Sequence, residues 1–246
     1  GGWISAGNAF PGADPSLALM PYWRESRRLM GRTTVTERDL LPISTQALRG
    51  PLPIDSQGRC TSIAVGTYAN DHHYPGDDWP LAPKSVRWGG RWSGTPFCIP
   101  FDALITDSIP NLVMAEKGFS VSHMANGATR LQPLILNLGQ VAGLAAAMAV
   151  RQGCNPADLQ VEAIQSALIH EPQAPAAVLP IWDWPLWHPH WVKAQEQGLA
   201  QPEHMDAMGR VSGPRASMLL PPGVNQAPNQ PHEVGLSGVL TGNLHE

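Results

Sequence analysis

The residues best placed to act on a ligand lie where an apolar run, Asn111 to Glu116, leads through a loop into a helix predicted from about Arg130 to Val150. A helix N-terminus presents unbonded N–H groups and about half a positive charge, so it favours anions and electron-rich carbonyl oxygens. Thr129 and Gln132 have the spacing of a capping box, in which two side chains satisfy the first free N–H groups. Pro133 then falls in the first turn, where a missing N–H costs least. Most corners of this kind bind nothing, so the arrangement alone is equally a plain packing feature. Other polar groupings are open to two readings as well. Arg24-Glu25-Ser26-Arg27-Arg28 suits a salt-bridged helix face. The adjacent His72 and His73 suit polar surface as well as a site. His188 and His190 share a direction on a strand, but Pro189 between them and the lack of a nearby third ligand argue against a metal. Cys60, Cys98 and Cys154 are too widely spaced for a zinc site or a disulfide framework. They read as buried thiols of a reducing compartment, which points to the cytoplasm.

Several elements must position these groups. Thr61 to Tyr68 alternates and is rich in β-branched residues, which predicts a strand. Pro96 to Ile105 is extended around Pro100, a residue tolerated at an edge or a bulge. Asn111 to Glu116, after Pro110, predicts a short buried parallel strand. Along the helix, Gly139, Gly143 and Ala147 recur every four residues and predict a smooth face packed closely on a sheet. Gly153 is a natural C-terminal stop. Asn155-Pro156 then opens a further helical segment to about His170.

The 25 prolines amount to twice the usual ~5 % share and concentrate after Glu171. We therefore divide the chain into a body, 1–170, and a Pro/Trp/Gly-rich extension, 171–246, that is partly irregular. Four tryptophans fall between Trp182 and Trp191, the pattern of an aromatic strap laid back on the body. Proline, glycine and asparagine dominate from Ser212 onward, and little regular structure is expected there.

Composition narrows the function classes. With 43% hydrophobic and 15% charged residues the chain reads as globular. A net charge of -4 gives no electrostatic reason to expect nucleic acid or an anionic membrane as partner. The longest uninterrupted apolar stretch, Val141 to Val150, is shorter than the ~20 residues a membrane span needs. No basic start or apolar h-region marks a secretory signal. The chain opens Gly-Gly-Trp without a methionine, which fits a fragment or a processed product.

Four stretches, in order, resemble segments of the FAD-dependent oxidoreductases with the glutathione-reductase-like flavin fold. They are PYWRESRRLMGRTTVTERDLL (Pro21 to Leu41), SIAVGTYANDHH (Ser62 to His73), GTPFCIPFDALI (Gly94 to Ile105) and the closing run from Asn111 to Val150. The resemblance implies an α/β fold: part of a doubly wound FAD-binding layer with antiparallel substrate-domain strands. It implies FAD as cofactor, with hydride transfer between an organic substrate and the flavin. Glu116 would end the last strand beside the cofactor, and Ala128, Thr129, Arg130, Leu131 and Gln132 would face the pyrimidine edge of the ring. Arg24, Glu25 and Arg27, with His72 and His73, would stand on the substrate side. The departure is as informative. No Gly-x-Gly-x-x-Gly occurs, and the glycine-dense Gly89 to Gly94 has the wrong spacing and follows no strand. The fold is therefore expected to be incomplete without an N-terminal half, with a separate FAD-binding polypeptide as a candidate partner. A non-catalytic remnant or interaction module of the same fold is the competing reading, and a metal-dependent hydrolase built on the histidines a third.

Overall fold

In this computed structural model, residues 25–42, 49–68, 96–181, 183–202 and 205 are described. Mixed helix and strand surround one hydrophobic core. In chain order the described elements are helix α1 (Glu37–Leu40), strands β1 (Ser62–Gly66) and β2 (Phe97–Pro100), and helices α2 (His123–Thr129), α3 (Gln132–Gln152), α4 (Val161–Ile169) and α5 (Trp191–Ala200). Short 3-10 turns occupy Phe101–Ala103 and Pro156–Asp158.

β1 and β2 form where the alternating and Pro100-interrupted runs predict strands. They pair antiparallel, with Ser62 opposite Pro100 and Val65 opposite Cys98. The register shifts between Ser62 and Ala64, a bulge opposite the proline that cannot donate to the ladder. Gly66 leaves room for the Phe97 ring. Beneath the pair lies α3, which buries Leu134, Leu138, Val141, Ala142, Ala145, Met148 and Ala149. Its apolar length makes it the one helix, among the described residues, that meets the length and composition of a membrane span, with mean hydropathy 1.6. One face of this helix is buried in the core against β1, while Leu136, Gly143, Ala147 and Val150 are exposed. Pro133 sits in its first turn and Gly153 ends it at φ 65°, as the sequence predicts.

Four local expectations are corrected. The helix starts at Gln132, not Arg130, and is capped by no side chain: Leu131 is its N-cap residue. Thr129 and Gln132 form no capping box, because Thr129 is the last residue of α2, a helix standing where a loop is expected. Asn111 to Glu116 is not a buried parallel strand. Only Val113 pairs, in one antiparallel bridge to Ile105, and Glu116 opens a turn closed by Phe119 N–H. Finally, Gly143 and Ala147 are exposed, so the small-residue stripe is not the face on the sheet; the larger apolar side chains of α3 fill that interface.

A second strip of pairing fixes the segment that leads into α1. Leu29 N–H donates to the Gly118 carbonyl, Val35 N–H to Ser120, and Ser122 N–H back to Val35, so Val35 and Val121 bridge in parallel. Arg32 and Thr33 N–H donate to Ile105 and Asp102 carbonyls on the other side. Gly31 is wedged between: a Cβ there would lie 2.8 Å from the Asp102 carbonyl oxygen and 2.9 Å from Ser120 Cβ.

Beyond residue 170 the described chain returns to the core. Val178 and Leu179 are fully buried. Ser62 Oγ donates to the Val178 carbonyl. Gln195 of α5, itself fully buried, accepts the N–H groups of Val178 and Leu179 and donates to the Leu179 carbonyl. Trp191 is buried and Trp184 partly buried against the core, whereas Trp187 is 69% exposed and Trp182 lies outside the described residues, so of the expected aromatic strap only part packs on the body.

Two predictions follow from burial. Gln195→Ala leaves three buried backbone groups without partners, at about 1–3 kcal/mol each. Denaturant titration should show a loss of about 3 kcal/mol or more; a loss below about 1 kcal/mol would mean water replaces the amide. Burial also pushes the Cys60 thiol up to about 11 and Cys98 to about 12. A thiol whose folded pKa is raised stabilises the fold below its ordinary value near 9, and that stability is lost as pH rises through the folded value. The denaturation midpoint should therefore fall between pH 9 and about 11, and the fall should be smaller in Cys98→Ala.

Candidate functional site

The paired strip places Glu25, at the start of the described residues, against the two ends of α2. His123 is the first residue of that helix and Arg130 its C-cap. Seven residues are two helical turns, so the two side chains leave the same face. Glu25 spans them. Its Oε2 lies 2.8 Å from His123 Nδ1, and its Oε1 lies 4.0 Å from the Arg130 guanidinium. Arg28 donates to the same Oε2. The Arg130 side chain is only 4% exposed and Glu25 27%, so that pair is sheltered from solvent screening, unlike an ordinary surface pair, whereas His123 is 57% exposed.

α2 forms here because Ser122 caps it: its Oγ accepts the Ala125 N–H. Ser122 Oγ also lies 3.4 Å from Glu37 Oε2 at the start of α1. α2 buries Ala125, Asn126, Gly127, Ala128 and Thr129. Two of its polar atoms, Asn126 Nδ2 and Thr129 Oγ1, are buried without a hydrogen-bond partner among the described residues. They sit three residues apart on one face, directly before the uncapped start of α3.

The residues expected at a site are thus distributed unevenly. Glu25 and Arg130 come together. Ala128 and Thr129 are buried in α2, while Leu131 and Gln132 form the bare start of α3. Arg27 is exposed, and Arg28 takes the place beside Glu25. Segment 25–31 is not helical, so the arginines do not form a salt-bridged helix face. Glu116 is exposed and lies 3.5 Å from Lys117 Nζ. Arg24, His72 and His73 lie outside the described residues. His123 is the residue that sequence reasoning missed. It lies 98 positions from Glu25, and the only local signal is that Ser122 could cap a helix starting there.

Other groupings do not make a site. A cleft of about 340 Å³ is lined by Asp39, Asp55 and Asp102 among others. Each carboxylate is engaged: Asp39 accepts from Thr36, Asp55 from Gln57 and Arg59, and Asp102 lies 3.8 Å from Arg32. His188 stacks on Trp184 at 4.1 Å and its Nδ1 accepts the His190 N–H. Among the described residues no three His, Cys, Asp or Glu side chains are grouped to hold a metal ion.

The donors around the α2–α3 junction suit one kind of ligand. A bare helix start, a buried guanidinium, and the unsatisfied Asn126 Nδ2 and Thr129 Oγ1 all favour an electron-rich carbonyl edge. The pyrimidine edge of a flavin is such a group, so these residues fit the ring end of that cofactor. The sequence holds no glycine loop for its pyrophosphate.

Comparison with known proteins agrees with that chemistry. The family model for FAD dependent oxidoreductases matches residues 6–168. No curated protein and no solved structure matches the chain. Its match covers both the Glu25 segment and the α2–α3 junction, and the chain belongs to the FAD-dependent oxidoreductase family.

Proposed function

We propose that this chain supplies the ring-facing and substrate-facing part of a flavin oxidoreductase that moves hydride between an organic substrate and FAD. The observation that carries the reading is the buried Arg130 beside the uncapped start of α3, inside the region that matches the family. Ala128, Thr129, Arg130, Leu131 and Gln132 hold the pyrimidine edge in this reading. The flavin supplies the two-electron chemistry when bound. The protein's own residues supply charge and position. Arg130 and the first-turn N–H groups present positive potential where negative charge develops. Glu25 keeps Arg130 in place from the substrate side, and Arg24 and Arg27 of the same segment, with His72 and His73, are candidates to orient substrate. Glu116 is a candidate contact for the ribityl chain. In this reading the junction forms part of a doubly wound layer completed by a nucleotide-binding segment that carries the glycine loop.

Magnitudes support a divided binding task. Nanomolar affinity needs about -12 kcal/mol, whereas one charge at a helix end supplies about 1–2 kcal/mol. The 246-residue chain alone should therefore purify colourless and take up FAD tightly only with a Gly-x-Gly-x-x-Gly segment present. Visible absorbance of the purified chain, with and without that segment, checks this. Stoichiometric yellow protein from the chain alone would overturn the divided arrangement, and no flavin uptake in either case would favour a non-catalytic module.

The second test concerns Arg130. In the FAD-loaded protein, Arg130→Ala should lower the flavin midpoint potential more than it weakens FAD binding. A charge contribution of about 1–2 kcal/mol corresponds to roughly 20–40 mV for a two-electron couple. Spectroelectrochemical titration measures it. An unchanged midpoint with folding intact would confine Arg130 to its ion pair with Glu25.

A further inference from the structure

We propose that a cavity between α4 and α5 binds a small organic cation, a primary ammonium carried on an apolar body. None of the residues assigned to the flavin or its substrate lines this cavity. The inference goes beyond the flavin reading and does not rest on it.

The cavity encloses about 290 Å³, at the small end of the range for ligand pockets. One wall comes from α4, through Glu162, Gln165 and Ile169. The facing wall comes from α5, through Glu196, Leu199 and Ala200. That second wall lies beyond residues 6–168, outside the region that matches the family model. The floor is apolar: Cys60 and Ile169 are buried in the core, and Leu199 packs against it.

Gln165 gives the floor a fixed polar point. The residue is 2% exposed, and its Nε2 donates to the Cys60 and Ser62 carbonyls at 2.7 and 2.9 Å. Two carbonyl oxygens can be met only by the nitrogen end of the amide, so its orientation is set. Both protons are then spent, and Oε1 accepts no hydrogen bond among the described residues. A held acceptor on a cavity wall favours a donor from a ligand.

The charges around the cavity decide the sign of that ligand. Arg59, the one guanidinium in the lining, is already bonded to Asp55 and Glu162. At the other end His170 turns Nδ1 to the Ser166 carbonyl at 2.8 Å, so in the neutral ring that nitrogen carries the proton. Nε2 then holds a lone pair 3.2 Å from Glu196 Oε1 and has no proton to give the carboxylate. Both helices also end here, α4 at Ile169 and α5 at Ala200, and neither last turn holds Lys or Arg. The negative ends of two helix dipoles therefore converge beside Glu196. Gln165 Oε1, His170 Nε2 and Glu196 all accept, and an ammonium brings three donors and no acceptor. A carboxylate ligand would meet like charge at the same place.

The test uses the full chain without FAD. Three probes share one phenylethyl body: 2-phenylethylammonium, the neutral 2-phenylethanol and the anionic 3-phenylpropionate. Each is titrated at about pH 8, where an alkylammonium keeps its charge, and amide shifts are followed by proton–nitrogen NMR. The ammonium should shift amides of 162–170 and 196–200 saturably. It should bind about tenfold more tightly than the alcohol, the scale of a hydrogen bond to a charged group. The propionate should bind no better than the alcohol. Glu196→Gln should remove the advantage of the ammonium, and Leu199→Trp, which fills the apolar floor, should weaken both the ammonium and the alcohol. Equal affinity for the three probes would overturn the proposal, as would saturable shifts confined to other residues. So would an unchanged ammonium affinity in Glu196→Gln, or no saturable shift at about 10 mM, enough to fill a millimolar site. If a variant does not fold, the comparison of probes on the unaltered chain still decides.

Discussion

Backbone pairing between residues 29–35 and 118–122 is the constraint on which the site depends. Each of these hydrogen bonds contributes only about 1 kcal/mol net, but together they set register. Glu25 and His123 are far apart in sequence and meet because Leu29 is bonded to Gly118 and Val35 to Ser120 and Ser122. Gly31 shows how little slack the strip has, since even one methyl group there would meet a backbone oxygen. The strip is in turn held against the 3-10 turn at Phe101–Ala103, which ends β2 and buries Phe101 and Ala103 in the core. Site geometry is thereby transmitted from the hydrophobic core through ordinary main-chain bonds.

Electrostatics adds a second layer of dependence. A guanidinium as buried as Arg130 would be strongly destabilising without a counter-charge. Glu25 provides one while also serving Arg28 and His123. Fold and site share this carboxylate, and neither can be altered there without the other. Asn126 Nδ2 and Thr129 Oγ1 stand at the opposite extreme, buried with no partner, at about 1–3 kcal/mol each. Such groups concentrate where a protein has a task beyond stability. They lie beside a helix start that no side chain caps, which among the described residues sets the α2–α3 junction apart.

How much of this the sequence discloses varies with how local the cause is. β1, the Pro100 interruption, Pro133 and the Gly153 stop are local effects of side-chain shape and backbone freedom, and each is found where expected. α2 is hidden because Asn126 and Gly127 are poor helix formers, and burial of five consecutive residues overrides their propensity. The Thr129–Gln132 pattern matches a capping box by spacing but belongs to two different helices. Asn111 to Glu116 has the apolar run of a strand, yet among the described residues its pairing is one antiparallel bridge, Val113 with Ile105, with Met114 N–H donating to the Leu104 carbonyl. The pairing of Glu25 with His123, and the buried amide of Gln195, are tertiary facts with no signature in nearby residues. The family resemblance is matched by the family model over residues 6–168, whereas the particular side chains that meet there are visible only in three dimensions.

One carboxylate touching both ends of α2 has a further consequence, for length. His123 and Arg130 share a face because two turns separate them. Adding or deleting a single residue between them would swing one side chain about 100° around the axis relative to the other, and Glu25 could no longer reach both. At the buried positions Ala125 and Gly127 substitution is limited by the space available in the core. The residue count of α2 is fixed more tightly still, so this short helix also works as a spacer.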